Sequence, residues 1–270
     1  MPRTAHLAVP GAVIDGRCHT PNLPWELDEG ELQTSTGIPR VILLNDFVGL
    51  ALGVADLPAS GLVTLKRGNI VKHGTKAIVG AGTGLGEAIL VWDGAAYVPV
   101  ASEAGHADFA PQGALQRALS EQLEAELGHV SVERVLSGPG LARIYGFLVG
   151  EGMPASTEVE TTTGEQDPSE IISRLALSRL HPTCEQALDV FVRIYGAEAG
   201  NLALRCLPFG GLYLAGGIAP KITDALRAGG FLAAFLAKGR LQGLLESVPV
   251  HVVTDPDTPL RGAALFTGPR

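Results

Sequence analysis

Hydrophobic and polar positions follow two different spacings along this chain. Short apolar runs typical of β-strands lie at 5–9, 13–14, 41–44, 76–79, 87–92, 97–100, 211–214 and 248–253. Apolar residues three and four positions apart predict long helices at 113–127 and 184–205, and shorter ones that start near 48, 223, 231 and 260. Because strands and helices alternate, the pattern predicts an α/β fold with a mixed or parallel sheet.

Length and composition agree with a folded α/β protein. The chain has 270 residues, 46% of them hydrophobic, which is enough for one large domain or two modest ones. The segment 150–168 is rich in Thr, Glu and Gly without periodicity, and predicts a surface connection. No apolar run reaches 18 residues and no export signal follows the first residues, so the sequence predicts a cytoplasmic protein without a membrane span.

Charge and cysteine content exclude two further classes of protein. A net charge of −8 argues against a nucleic-acid surface, which needs clustered Lys and Arg. Cys18, Cys184 and Cys206 are far apart and lack metal-ligand spacing, so they predict buried thiols and no metal site.

The first polar cluster, Asn45-Asp46, lies where an apolar β-type run ends and a helix begins. Asp46 would serve there as a helix cap, for which Asp and Asn are favoured. It would equally serve as a carboxylate at the carboxyl end of a strand, able to accept the proton of an attacking hydroxyl. Position alone leaves both interpretations open.

The second cluster is a loop from Gly80 to Gly86 with four glycines in seven residues. Backbone N–H groups in such a turn form a concave site for phosphate oxygens, and Thr83 adds a hydroxyl. No Lys follows the last glycine, so the loop is not a Walker A motif. A plain hairpin turn needs fewer glycines, and the excess favours phosphate contact.

Three later features are ambiguous by themselves. Glu103 and His106 would hydrogen-bond a polyol, although a polar loop with a bonded histidine is the simpler interpretation. Glu133 alone reads as a solvated residue of a helical turn. Gly216-Gly217, between a strand and a Pro-initiated helix, permits close approach of a base or ribose, and is equally compatible with an ordinary turn.

Taken in order, these clusters resemble the bacterial glucokinases, ATP-dependent sugar kinases of the hexokinase and actin-like superfamily. The matching segments are 20–25, 45–47, 80–86, 103–111, 133–141, 200–204, 215–221 and 238–240, spread over nearly the whole chain. The resemblance implies a two-domain α/β, ribonuclease H-like fold with an active cleft between a small domain (1–56, joined by 247–270) and a large domain (57–246).

The resemblance also implies roles for individual residues. Asp46 would be the general base that receives the proton of the glucose 6-hydroxyl. The other hydroxyls would be bound by Asn45, Glu103, His106 and Glu133. ATP, as its Mg²⁺ complex, would be held at the phosphates by Gly82, Thr83 and Gly84 and at the adenosine by Gly216, Gly217 and Ile218. No cysteine cluster follows His106, which argues against the zinc-containing repressor–kinase branch and makes His106 a sugar ligand only. A homodimer is a family expectation.

The chain departs from the family pattern in two places. Ala104 replaces a usual glycine, a change that is tolerated where φ is negative. The family's first phosphate loop, an Asp-x-Gly-Gly-Thr turn that helps to place Mg²⁺, has no counterpart before Pro10. Three hypotheses therefore stay open: a glucokinase whose natural polypeptide begins upstream of Met1, a short and catalytically weak sugar-binding sensor or partner subunit, and a kinase of another hexose.

Overall fold

The computed structural model describes residues 2–20, 24–162 and 166–266. Residues 21–23 of the segment 20–25, and residues 163–165 of the connection 150–168, lie outside this description. The strands are β1 (Thr4–Val9), β2 (Val13–Ile14), β3 (Arg17–His19), β4 (Glu26–Asp28), β5 (Arg40–Asn45), β6 (Leu62–Lys66), β7 (Lys76–Ala81), β8 (Leu85–Trp92), β9 (Tyr97–Ser102), β10 (Gly211–Ala215) and β11 (Val250–Val253).

The helices lie between and after these strands. They are α1 (Glu29–Thr36), α2 (Asp46–Ala55), α3 (Gly113–Leu127), α4 (Gly138–Gly150), α5 (Thr157–Glu160), α6 (Pro168–Leu177), α7 (Pro182–Cys206), α8 (Thr223–Arg227), α9 (Gly230–Leu236), α10 (Gln242–Glu246) and α11 (Thr258–Leu265). The described residues also form short 3₁₀ helices, two of them at Ala104–His106 and Val132–Arg134.

A six-stranded mixed sheet forms the centre of the larger part of the chain. Its strand order is β6-β11-β10-β7-β8-β9, with β11, β10 and β7 parallel and the outer strands antiparallel to their neighbours. β10 is buried along its whole length, as expected for a parallel strand covered on both faces. The long helix α7 covers this sheet, and its Tyr195 hydroxyl donates to the Val79 carbonyl oxygen at 3.1 Å.

A second, smaller assembly lies at the N-terminal end of the chain. β1 and β5 pair in parallel, from Thr4 opposite Arg40 to Val9 opposite Asn45. α11 packs on α2 so closely that a Cβ on Gly262 would lie 1.7 Å from the Gly49 carbonyl oxygen. The three-stranded sheet β2-β3-β4 completes this part of the described chain.

The predicted α/β fold class is thus observed, with the predicted strands and helices present and their ends shifted by a few residues. The division into domains at 1–56 and 57–246 stays a prediction. The C-terminal segment contributes to both assemblies, because β11 lies in the six-stranded sheet while α11 packs on α2 and β1. The cysteines are free thiols, buried at Cys18 and Cys184 and half-buried at Cys206.

Candidate active site

The sequence left two roles open for Asp46, helix cap and free carboxylate, and the structure gives the first of them to Asn45. Asn45 is the N-cap of α2, and its Oδ1 accepts the N–H groups of Phe47 and Val48 at 2.9 and 3.2 Å. Its Nδ2 donates to the Gly11 carbonyl oxygen at 3.0 Å. The capping interpretation therefore applies to Asn45. Asp46 is the first helical residue, and its carboxylate is not needed as the N-cap. Asn45 has one amide N–H left for a sugar hydroxyl.

Asp46 is exposed to solvent, and the surrounding protein partly desolvates its carboxylate. Desolvation raises its pKa, and the negative charge of Glu103 raises it further, while a hydrogen bond from the Phe47 N–H opposes both effects. A charge acts on a neighbouring group in this way only when the two are close. The charge of Glu103 thus acts on Asp46, although 56 residues of chain separate them.

The glycine loop joins β7 to β8 through Gly82, Thr83 and Gly84, since Ala81 still pairs with Leu85. A Cβ on Gly80 would lie 2.7 Å from the Phe47 ring, and a Cβ on Gly86 would lie 2.3 Å from it. The excess of glycine thus has a reason that the sequence did not reveal. Two of the four glycines make room for the ring of Phe47, the residue that follows Asp46.

Glu133 connects the glycine loop to His106. Its Oε2 accepts the Leu85 N–H at 2.9 Å, and its Oε1 lies 4.0 Å from His106 Nδ1. A Cβ on Gly84 would lie 2.5 Å from the same carboxylate. The interpretation of Glu133 as a solvated residue is wrong, because its side chain is only 29% exposed and is hydrogen-bonded.

The loop that carries Glu103 and His106 follows β9. Glu103 and His106 are exposed at either end of the 3₁₀ helix, and Gly105 between them is buried. Ala104 is the first residue of that helix, where φ is negative, so its methyl group is accommodated as predicted. A Cβ on Gly105, by contrast, would lie 2.1 Å from the Leu85 carbonyl oxygen.

The predicted adenosine turn lies against the glycine loop. The Ile218 N–H donates to the Ala81 carbonyl oxygen at 3.2 Å. Gly216 has φ +80°, and a Cβ there would lie 2.5 Å from the same oxygen. Gly217 is exposed and has open space beside it. The two predicted nucleotide segments therefore lie side by side, with their backbones in direct contact at Ala81.

The N-termini of two helices that were not predicted lie at or near the glycine loop. α4 begins at Gly138, whose N–H donates to the Gly82 carbonyl oxygen at 2.8 Å, and its N-cap is Ser137. α6 begins after Asp167, which lies close to Gly138. The pairs Ser137-Gly138 before Pro139 and Asp167-Pro168 carry the signature of a helix start, which would have located both.

Next to Glu103, a cleft of about 1150 Å³ lies between β5 and β9. Its lining includes Asn45, Ser102 and Glu103. A cleft of this size accommodates a hexose with room to spare. Across the described ranges, no group of three or more His, Cys, Asp or Glu side chains is placed to hold a metal ion, and none of the helices there has the length and apolarity to span a bilayer.

Comparison with known proteins gives this arrangement a family. A curated glucokinase of Nostoc punctiforme is 40% identical over 279 residues, which cover 98% of this chain and 82% of that protein. The crystal structure of a glucokinase from an Antarctic psychrotroph is 32% identical with a TM-score of 0.80, covering 95% of this chain and 77% of that one. A Streptomyces griseus glucokinase of the ROK family, solved with glucose and AMPPNP, has a TM-score of 0.64 at 20% identity and covers 96% of this chain and 79% of that one.

The fold is that of the α/β sugar kinases of hexokinase type. A model of the glucokinase family matches residues 1–269, and the chain belongs to that family of ATP-dependent hexose kinases. The resemblance inferred from the sequence motifs is confirmed. The roles of the individual site residues stay predictions.

Proposed function

We propose that this protein transfers the γ-phosphoryl group of MgATP to the 6-hydroxyl of glucose. The observation that carries the proposal is the position of Asp46, whose carboxylate is left free by the Asn45 cap. Its neighbour Phe47 packs against Gly80 and Gly86 at the ends of the glycine loop, and the charge of Glu103 acts on Asp46 itself. This is the place where a sugar hydroxyl would meet a phosphoryl group.

The chemistry follows from this placement. Asp46 accepts the proton of the 6-hydroxyl as its oxygen bonds to phosphorus and the bond to the ADP oxygen breaks in line. Glu103, His106 and Glu133 orient the sugar through its other hydroxyls. Backbone N–H groups of the glycine loop and the exposed Thr83 hydroxyl hold phosphate oxygens. Mg²⁺ arrives with ATP as part of the substrate.

The relatives support both substrates. The Streptomyces griseus glucokinase was solved with glucose and an ATP analogue, and the Nostoc punctiforme relative is a glucokinase. Glucose and ATP are both cytoplasmic metabolites, so we place the protein in the cytoplasm. A homodimer stays a prediction, to be measured by sedimentation.

The direct experiment measures glucose 6-phosphate formation by this 270-residue chain with MgATP, in parallel with mannose, galactose and fructose. We expect the highest kcat/KM with glucose. Higher kcat/KM with another hexose would identify a kinase of that sugar. Calorimetric glucose binding with no turnover above the value without enzyme would identify a sugar-binding protein and overturn the proposal.

The pH profile gives a further prediction. Asp46 works as its carboxylate, so kcat/KM falls as pH drops through its pKa, which desolvation and Glu103 raise. Removal of the Glu103 charge in Glu103→Gln lowers that pKa and moves the acid limb of the profile to lower pH, even though the sugar KM rises. The control Glu121→Gln, on the exposed face of α3, leaves the limb in place. An unmoved limb in Glu103→Gln would mean that another group titrates.

A further inference from the structure

A buried carboxylate lies directly behind the glycine loop and takes no part in the mechanism above. Glu87 follows Gly86 on β8 and is 1% exposed. Neither of its carboxylate oxygens receives a hydrogen bond from a described donor. The nearest cation is Arg205, whose Nη1 lies 3.8 Å from Oε2. A buried, ionised carboxylate without hydrogen-bond donors is costly, so this group requires an explanation.

Glu198 of α7 faces Glu87 within hydrogen-bonding reach and is itself 3% exposed. Unlike Glu87, each of its oxygens accepts a hydrogen bond, Oε1 from Arg205 Nη1 and Oε2 from Asn201 Nδ2, both at 2.9 Å, and each keeps a lone pair for a further donor. Lys238 Nζ donates to Asn201 Oδ1 at 2.6 Å. The segments 200–204 and 238–240, for which the sequence suggested no role, therefore meet in this network.

The groups around Glu87 show which form it takes. Burial first, and the charge of Glu198 second, raise the pKa of Glu87 to about 8, and the Arg205 charge opposes this shift. Cys206 and Tyr195 also face it, and burial together with the Glu87 charge raises the pKa of each, so both are neutral at physiological pH. Burial lowers the pKa of Lys238, and the charge of Glu198 opposes this shift. Among the described residues no donor bonds the two Glu87 oxygens, so a proton on Glu87 itself would allow a hydrogen bond between Glu87 and Glu198.

The position of Glu87 in the sheet connects this pair to the active site. Glu87 pairs with Val79 of β7 on one side and with Ser102 of β9 on the other. β7 leads into the glycine loop, and Glu103 follows Ser102. α7 holds the same level of the sheet through the hydrogen bond from Tyr195 to Val79. A hydrogen bond from Glu87 to Glu198 would therefore hold two strands against α7: β7, which leads into the glycine loop, and β9, which leads into the loop of Glu103 and His106.

We propose that Glu87 is protonated and donates a hydrogen bond to Glu198, and that this carboxyl pair positions the glycine loop for the nucleotide. Glu87 contacts neither substrate and acts as a positioning residue. The proposal rests on the proposed kinase function only for its kinetic consequence. The proton and the hydrogen bond are properties of the folded chain itself.

The sign of the pH dependence follows from linkage. The pKa of Glu87 is higher in the folded protein, at about 8, than its ordinary value of 4.5. The folded state thus binds the extra proton, and the stability it provides is complete below the ordinary value and is lost as pH rises through the folded value. One additional bound proton raises the unfolding constant by about tenfold per pH unit within this window.

The test compares Glu87→Gln, Glu87→Ala and the exposed α7 control Glu185→Gln. Glu87→Gln keeps a donor for Glu198 and has no proton to lose, so its unfolding constant lacks the rise between pH 6 and 8 that wild type and control show. The infrared difference spectrum of wild type minus Glu87→Gln at pH 7 contains the carbonyl stretch of a protonated carboxyl. If the unfolding constants of wild type and Glu87→Gln changed in parallel with pH, and the infrared band were absent, the proposed proton on Glu87 would be ruled out.

Nucleotide affinity tests the positioning role separately. We expect Glu87→Ala to raise the MgATP KM and the calorimetric Kd for MgADP by about tenfold or more, because small displacements of positioning groups are costly. Glu87→Gln restores both values, and the wild-type Kd rises towards that of Glu87→Ala above pH 8. A wild-type Kd in Glu87→Ala, measured where the variant is folded, would show that the pair only stabilises the fold. Calorimetry and melting need no turnover. A negative result for the carboxyl pair can therefore be told apart from a chain that does not phosphorylate glucose.

Discussion

Asp46→Asn is expected to lower kcat by about 10²–10⁴-fold, the range that a positioned general base contributes, while glucose binding is nearly unchanged. The amide keeps the shape of the carboxylate and its Oδ1 still accepts the Phe47 N–H. The helix loses no cap, because Asn45 holds that position. Only the capacity to take the 6-hydroxyl proton is removed. Turnover is measured with MgATP and glucose, and glucose affinity by calorimetry.

The matched control is Asp56→Asn, at the opposite end of the same helix, where the side chain is exposed. It removes the same charge from the same helix and should leave kcat unchanged. Loss of glucose affinity together with a lower melting temperature in Asp46→Asn would show a structural role for Asp46. Full turnover in the variant would assign the base to another group.

The sequence predicted the framework best where burial is complete. β10 and α7 read clearly because the strand is apolar throughout and the helix is apolar on most of its surface. β3, β4 and α1 were not predicted, since they are short and mostly polar. α4 was missed because glycine and proline lower its intrinsic helix propensity, and tertiary burial overrides that preference.

The site was predictable in its residues and less so in its contacts. Spacing alone favoured a polar loop for Glu103 and His106, because the effect of Glu103 on Asp46 and the approach of His106 to Glu133 join segments that are distant in sequence. The family resemblance supplied the roles that spacing could not. Phe47 belongs to the matching segment 45–47, but its contact with the glycine loop was not predicted, since a half-buried aromatic residue carries no local signal of its partners. Only the fold shows its ring between Gly80 and Gly86.

Gly105→Ala is expected to raise the glucose KM by about 100-fold, the scale that a displacement of 1 Å imposes on positioned groups. The added Cβ would lie 2.1 Å from the Leu85 carbonyl oxygen, which belongs to the strand below and is held there by the sheet. The loop must therefore move outwards, and it carries Glu103 and His106 with it. Overpacking of this kind also lowers stability by about 1–3 kcal/mol.

The neighbouring residue provides the control for this prediction. Ala104→Gly changes the same helical turn by one methyl group in the opposite direction and introduces no clash, so its glucose KM should stay close to wild type. Both variants are assayed at a temperature where each is folded, with melting curves recorded alongside. A wild-type KM in Gly105→Ala would mean that the loop relaxes without displacing its sugar ligands. A large KM increase in Ala104→Gly would mean that loop rigidity, rather than the contact with Leu85, sets the affinity for glucose.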